Sequence, residues 1–182
     1  DLGNLDHAIS DYNEAVRLKP NLADAYLGRG NALNLKGEQD RAIVDLNEAI
    51  RLKPNYALAY NLRGTIYVRK GEIVKALADF SDAIRIKPNY DEALNNRGTA
   101  LQETGDFDGA MIDYQKALKI NQDSAIARSS LMKIFRNLGR TNEADEQEAL
   151  ARKLMKKENE YNQACFEALC GNTEKALVLL RI

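Results

Sequence analysis

Residues 57–90 read ALAYNLRGTIYVRKGEIVKALADFSDAIRIKPNY, and the order of small, aromatic and helix-breaking residues in this stretch decides the fold. Tyr60 is followed four positions later by Gly64, then by Gly71, then by Ala76 and Ala83 flanking Phe80, and the stretch closes on Lys87–Pro88–Asn89–Tyr90. Moving outward by 34 residues in either direction finds the same residue types again. The only three prolines, Pro20, Pro54 and Pro88, share this spacing, and Gly3, Gly37, Gly71, Gly105 and Gly139 form one glycine column, with Gly30, Gly64 and Gly98 in another. Alanines fall into two columns, Ala8, Ala42, Ala76, Ala110 and Ala144, and Ala15, Ala49, Ala83, Ala117 and Ala151. Between them stand Tyr12, Leu46, Phe80 and Tyr114, while Tyr26, Tyr60 and Leu94 open successive repeats.

Each repeat holds two helical stretches. In Ala42–Leu52 the apolar residues Ala42, Ile43, Leu46, Ala49, Ile50 and Leu52 keep the i, i+3, i+4, i+7 spacing of an amphipathic helix, and Ala25–Leu35 places Tyr26, Gly30 and Leu33 on one stripe. Lys36–Gly37 closes the first helix, because glycine takes the left-handed C-cap conformation at little cost. Lys53–Pro54 closes the second, since proline disfavours helix in the residue before it. A glycine inside a helix costs up to about 1 kcal/mol relative to alanine, so Gly30 and Gly64 imply close backbone approach. Gly30 pairs with Ala42 at the narrow end of the hairpin, and Tyr26 and Leu46 fill the wide end; Gly64, Ala76, Tyr60 and Phe80 repeat the wedge, as do Gly98, Ala110, Leu94 and Tyr114.

Composition narrows the function. Hydrophobic residues are 45% and charged residues 29%, ordinary for a folded chain, and no apolar run approaches the roughly 18 residues of a membrane helix. The net charge of −1 gives no general pull toward nucleic acid or anionic lipid. Two cysteines and one histidine leave little for metal or thiol chemistry. Cys165 and Cys170 stand about 140° apart around a helix, which reads as buried apolar cysteine, and His7 reads as exposed. No catalytic residue, cofactor site or metal site is expected.

These columns together resemble the tetratricopeptide repeat family: the opening aromatic, the glycine four residues on, the interhelix glycine, the two alanines around an aromatic, and the closing proline. The resemblance covers nearly the whole chain. Residues 1–22 supply the second helix of a partial repeat, 23–56, 57–90 and 91–124 are regular repeats, 125–158 is divergent, and 159–182 is a partial, divergent repeat. The divergent repeat has Arg128 for the opening aromatic, Met132 for glycine and Glu148 for the packing aromatic, so a looser hairpin is expected, with its second helix running on into 156–160. A slip of two residues follows, with helices expected over 159–170 and 172–182.

The resemblance implies an all-α, right-handed superhelical solenoid of antiparallel helix pairs, in one array over 1–182. It implies a protein–protein interaction scaffold that binds an extended peptide or a helix in a concave groove, without catalysis. Helix phase places in that groove Leu27, Asn31 and Asn34; Asn61, Thr65, Val68 and Arg69; Asn95, Thr99, Gln102 and Glu103; and Ser129, Lys133 and Arg136. Asn31, Asn61 and Asn95 are expected either to hold the main chain of an extended partner or to be solvated polar residues on an exposed face.

Some relatives grip a chaperone's C-terminal carboxylate through lysine, arginine and asparagine. The matching places here carry Leu27, Asn31, Leu62, Glu92 and Asn96, of which only Asn31 fits, so that partner type is rejected. No nucleic acid and no membrane partner is expected, and a cytoplasmic location is favoured. Because the chain starts and ends inside repeats, the alternative is the substrate-recruiting or regulatory region of a larger multidomain enzyme.

Three further expectations follow from the columns. Arg29, Arg63 and Arg97 precede the packing glycines, and Asp11, Asp45, Asp79 and Asp113 precede the packing aromatics, which implies a ladder of ion pairs, such as Arg63 with Asp79 or with Asp45. The stripe Ile9, Tyr12, Ala15 and Val16 lacks a same-repeat partner, which implies end-to-end self-association through the terminal helix. Tyr56 and Tyr90 in the inter-repeat turns pack on a neighbouring repeat or flank the groove.

Overall fold

The computed structural model describes residues 2–155 and Glu167. Among these residues the chain is helical throughout: α1 (Leu2–Leu18), α2 (Ala23–Leu35), α3 (Gln39–Leu52), α4 (Ala57–Arg69), α5 (Ile73–Ile86), α6 (Asp91–Glu103), α7 (Phe107–Ile120), α8 (Ala125–Asn137) and α9 (Thr141–Met155). Helices α2 and α3 end at Leu35 and Leu52, where the glycine and proline signals place their ends. Both begin a turn or less earlier than the apolar pattern indicates, because first-turn positions are solvated and carry no periodic signal. The sites expected at Cys165 and Cys170, the extension through 156–160 and the helices over 159–170 and 172–182 lie outside the described residues. The chain divides into two compact bodies, Asp1–Ala100 and Leu101–Ile182.

In the first body, α2–α3 and α4–α5 are hairpins closed by three-residue turns. The turn chemistry is identical in each. Gly37 has φ +87° and Gly71 φ +74°, a conformation that side-chain-bearing residues avoid. The Gly37 amide donates to Asn34 O at 3.0 Å and the Glu38 amide to Leu33 O at 2.9 Å, the paired bonds of a Schellman cap; Gly71 to Val68 O and Glu72 to Tyr67 O, both 2.9 Å, repeat it. The second helices stop at Lys53 and Lys87, whose φ of −136° and −128° leave the helical region one residue before proline.

The wedge forms as expected at Gly30, where an added Cβ would meet Ala42 O at 3.3 Å, with Leu46 Cγ at 3.2 Å. At Gly64 it departs from the expectation: the nearest atoms are those of the Phe80 ring, Cε1 at 2.7 Å, so the aromatic expected at the wide end lies over the glycine. Leu46, Phe80, Ala42 and Ala76 are buried. One core cluster runs from Ile9 of α1 through Leu33, Leu46 and Ala59 to Ile66 of α4. The α1 stripe is therefore not bare: Ile9 is buried in this core, and the Tyr12 ring lies so close to α2 that a Cβ on Gly28 would stand 2.3 Å from it. Helix α2 thus covers part of the face for which the sequence supplies no same-repeat partner. Tyr12, Ala15 and Val16 remain half-buried.

In the second body, α7 begins at Asp106, whose side chain accepts from the Gly109 amide at 2.9 Å, and α8 at Ser124, which accepts from the Ala127 amide at 3.3 Å. Gly105 (φ +84°) and Gly139 (φ +69°) close the same type of turn. In the divergent hairpin Met132 occupies the glycine position and is wholly buried with Leu131, Ile134 and Phe135. Glu148, at the packing-aromatic position, pairs with Arg136 and accepts two hydrogen bonds from Arg152, at 2.9 and 2.7 Å. A polar bracket thus replaces the aromatic wedge.

Candidate functional site

The regular charge columns are structural. Arg29 Nε and Nη2 each donate to Asp45 at 2.7 Å, and Arg63 Nε and Nη2 donate to Asp79 at 2.8 and 2.7 Å. Of the two pairings open to Arg63, the one within the repeat is formed. The third guanidinium nitrogen faces the preceding repeat: Arg29 Nη1 donates to Asn13 at 2.8 Å, Arg63 Nη1 to Asn47 at 2.5 Å and Arg97 Nη1 to Ser81 at 3.0 Å. Burial opposes the Arg63 charge, but the hydrogen bonds and field of Asp79, with smaller contributions from Tyr67 and Tyr60, more than offset it and raise its pKa. Such bidentate pairs fix geometry, and they orient α4 so that its opposite face is presented elsewhere.

That opposite face lines a groove of about 360 Å³ in the first body. Six of the residues expected there converge on it: Leu27, Asn31 and Asn34 from α2, and Asn61, Thr65 and Arg69 from α4. Leu35, Leu58, Leu62 and Glu92, with the backbone of Gly28, complete the lining and were not among the expected residues. Leu35 and Leu58 are 60% and 46% exposed, large apolar surfaces on the rim of a concave feature. Leu35 lies four residues after Asn31 and Leu58 three before Asn61, so both share the asparagines' helix faces, although the expected set omitted them. The signal that finds them is variability between repeats. Leu58 shares a column with Asp24, Glu92 and Ile126, and Leu35 one with Arg69, Glu103 and Asn137, in a chain whose packing columns hardly change.

The asparagines differ from one another. Asn31 is exposed, whereas Asn34, Asn61 and Asn95 are 6%, 2% and 7% exposed, so neither solvated surface nor free hydrogen-bonding capacity describes Asn61. Its amide nitrogen donates to Tyr90 Oη at 3.3 Å and Glu92 Oε1 at 3.1 Å, and its oxygen accepts from Asn96 Nδ2 at 3.0 Å. Tyr90 closes the repeat that Asn61 opens, and Glu92 and Asn96 belong to the next one. Together they use both donors and one lone pair of the amide. Asn34 Oδ1 accepts from Arg69 Nη1 at 3.1 Å, and Thr65 Oγ1 donates to Asn61 O at 2.9 Å.

The remaining expected residues do not line this groove. Asn95 and Thr99 lie on α6, with Thr99 Oγ1 donating to Asn95 O at 3.0 Å, and Val68 instead packs against the cluster of Ala76, Phe80 and Ala100. Gln102 accepts from Tyr114 Oη at 3.3 Å, Arg136 pairs with Glu148, Ser129 Oγ donates to Ile126 O at 3.0 Å, and Lys133 and Glu103 are exposed; all belong to the second body.

The inter-repeat tyrosines fold back on the first helix of their own repeat. Tyr56 Oη donates to Asp24 at 2.7 Å with Lys53 Nζ 4.0 Å from its ring centroid, and Lys87 Nζ lies 4.5 Å from that of Tyr90. Burial, then the charge of Glu92, pushes the Tyr90 hydroxyl up to about 12, and burial, then Asp24, pushes Tyr56 up to about 12. His7 is exposed, and among the described residues no helix is long and apolar enough to cross a membrane.

Comparison with known proteins agrees with this geometry. The chain matches the family described as TPR repeat over residues 1–37, 30–71 and 64–105, and the family described as Tetratricopeptide repeat over 91–124. No curated protein matched the sequence. Among solved structures, the fold is similar to that of MamA, with TM-score 0.79 and 24% identity over 87% of this chain and 93% of that one. It is similar to YrrB, described as a TPR protein with an unusual peptide-binding site, at TM-score 0.72 and 26% identity over 93% and 89%. A third, a thermophilic TPR protein of Thermus thermophilus, has TM-score 0.70 and 24% identity over 97% and 92%. With family matches running from residue 1 to 124 and a repeat geometry that follows the same register, the chain belongs to the tetratricopeptide repeat family.

Proposed function

We propose that the groove of the first body holds an extended segment of a protein partner and that this binding, without chemistry of its own, is what the chain does. Tetratricopeptide arrays are in general scaffolds for protein–protein interaction, and similarity to YrrB, whose description names a peptide-binding site, supports the finer reading. The observation that carries it is the pairing of two exposed leucines, Leu35 and Leu58, with the exposed amide of Asn31 around one groove of about 360 Å³. Apolar walls gain from desolvating a side chain, and an amide with free donor and acceptor orients a main chain whatever its sequence. Asn61 serves as a positioning residue, because its amide already holds Tyr90, Glu92 and Asn96. A chaperone-type C-terminal carboxylate is not the partner, since Glu92 lines the groove and repels it.

The test is selection of random-sequence heptapeptides displayed on phage against the 182-residue chain, followed by anisotropy titration of the selected peptides. Asn31→Ala and Leu58→Asp, both at exposed positions, are expected to weaken binding by tenfold or more while melting temperatures stay close to the parent. Peptides that bind the Leu58→Asp chain as well as the parent would place the interaction elsewhere and end this reading.

A further inference from the structure

Among the described residues, two charges in the groove have no counter-ion. Between Arg17 and Arg85 every arginine of the first body except Arg69 has a carboxylate oxygen within 2.8 Å. Arg69 is held instead by a neutral acceptor, Asn34 Oδ1 at 3.1 Å, and among the described residues no carboxylate pairs with it. Glu92 is the mirror case: its Oε1 accepts from Asn61 Nδ2 at 3.1 Å, and among the described residues no lysine or arginine pairs with it. Both tethers, Asn34 and Asn61, are buried, so each charge is oriented by a fixed amide yet not neutralised. A guanidinium bonded through one nitrogen still presents donors for a carboxylate, and a carboxylate bonded through one oxygen still accepts from a cation.

Resting on the peptide-groove reading above, we propose that Arg69 and Glu92 make the groove selective for a segment that carries an acidic and a basic side chain three or four residues apart, together with an apolar one. The spacing comes from the scaffold. Asn61, which holds Glu92, and Arg69 are eight positions apart on α4, about 12 Å at 1.5 Å per residue. An extended chain rises about 3.3 Å per residue, so its charges match across three or four residues. Leu27, Leu58 and Leu62 supply the apolar contact in the same groove. The repeat does not require either charge: the columns place Leu35, Glu103 and Asn137 where Arg69 stands, and Asp24, Leu58 and Ile126 where Glu92 stands. One cation balanced by one anion gives no stripe for a polyanion, which directs the pair toward a zwitterionic peptide.

The same display selection, run in parallel on Arg69→Glu, Arg69→Gln, Glu92→Lys and Leu58→Asp chains, tests it. The parent is expected to enrich heptapeptides with acidic and basic residues three or four apart. Arg69→Glu should exchange the acidic preference for a basic one, and Glu92→Lys the reverse. Arg69→Gln, which keeps an amide donor and removes the charge, should lose the acidic preference and weaken the parent-selected peptides roughly tenfold. Identical enriched sequences on parent and charge variants overturn the charge selection and leave the groove reading standing. Enrichment unchanged by Leu58→Asp, or none on any chain, overturns both.

Discussion

Arg63 and Asp79 are joined by two parallel hydrogen bonds, 2.8 Å from Nε and 2.7 Å from Nη2, with side-chain exposures of 18% and 6%. Breaking such a pair from one side strands the other charge. We expect Asp79→Ala to cost ~2–3 kcal/mol, below the ~3–5 kcal/mol of a fully buried pair because Arg63 keeps some solvent. A double-mutant cycle in urea should give ~1–3 kcal/mol of coupling for Arg63 with Asp79 and none for Arg63 with Asp45. Coupling of equal size in the second cycle would contradict the pairing.

Gly64 faces the Phe80 ring at a separation no side chain tolerates. Alanine there gains about 1 kcal/mol of helix propensity but overpacks a ring that is 1% exposed, a cost of roughly 1–3 kcal/mol. Gly64→Ala is therefore expected to destabilise, and Phe80→Leu in the same chain to recover part of the loss. Thermal unfolding of the parent and the two variants reads this directly, and a Gly64→Ala chain more stable than the parent would refute the close contact of Gly64 with Phe80.

At Gly71 the reason for glycine is backbone conformation alone, since a Cβ there meets nothing within 4 Å and φ is +74°. Gly71→Ala should cost ~1–2 kcal/mol, and Gly71→Asn less, because asparagine tolerates the left-handed region. Equal penalties for the two would mean that crowding, not φ, sets the requirement.

Asn61→Ala leaves Tyr90 Oη, Glu92 and Asn96 each short of a partner, so stability should fall by ~1–3 kcal/mol. This differs from what an exposed groove amide would do. Asn31→Ala, at an exposed position, is expected to change stability by less than ~0.5 kcal/mol, and a side-by-side melt separates the two roles.

Tyr56 and Tyr90 both ionise near pH 12 in the fold against about 10 in the unfolded chain. A raised value means the folded state keeps its protons longer. Their contribution to stability is whole below pH ~10 and disappears as pH rises through ~12. Tyr56→Phe together with Tyr90→Phe should flatten that alkaline decline in urea titrations. A decline of unchanged slope would show that other groups cause it.

Most of the fold was legible because packing in a repeat repeats: Gly30 against Ala42 and Gly71 in its turn follow columns that recur wherever a hairpin must close, although Phe80, read at the wide end, lies over Gly64. The Arg63–Asp79 pair was legible for the same reason, although the sequence left Asp45 open as its partner. The site was legible only in part. Helix phase finds Leu27, Asn31 and Arg69, which share a face, but says nothing of hydrogen bonds that arrive from residues 29 to 35 positions away. That is why Asn61 reads as a surface amide and is in fact saturated by Tyr90 at the end of its own repeat and by Glu92 and Asn96 at the start of the next. Leu35 and Leu58, one helical turn from Asn31 and Asn61, were legible by the same phase, but their apolar character drew attention away from a groove read as amides and hydroxyls.

The arginine of each of the first two regular repeats takes its carboxylate from sixteen residues ahead and its third acceptor from sixteen behind, as Arg63 does with Asp79 and Asn47. A 34-residue module cut from this chain would therefore carry its own ion pair but borrow one acceptor from whatever precedes it. Transplanted behind a module that lacks Asn, Ser or a similar acceptor at that place, it would leave a guanidinium nitrogen without its bond. The repeats are thus interchangeable only in order, and anyone lengthening or shuffling such arrays must treat each module as including the residue two positions past the aspartate of its predecessor.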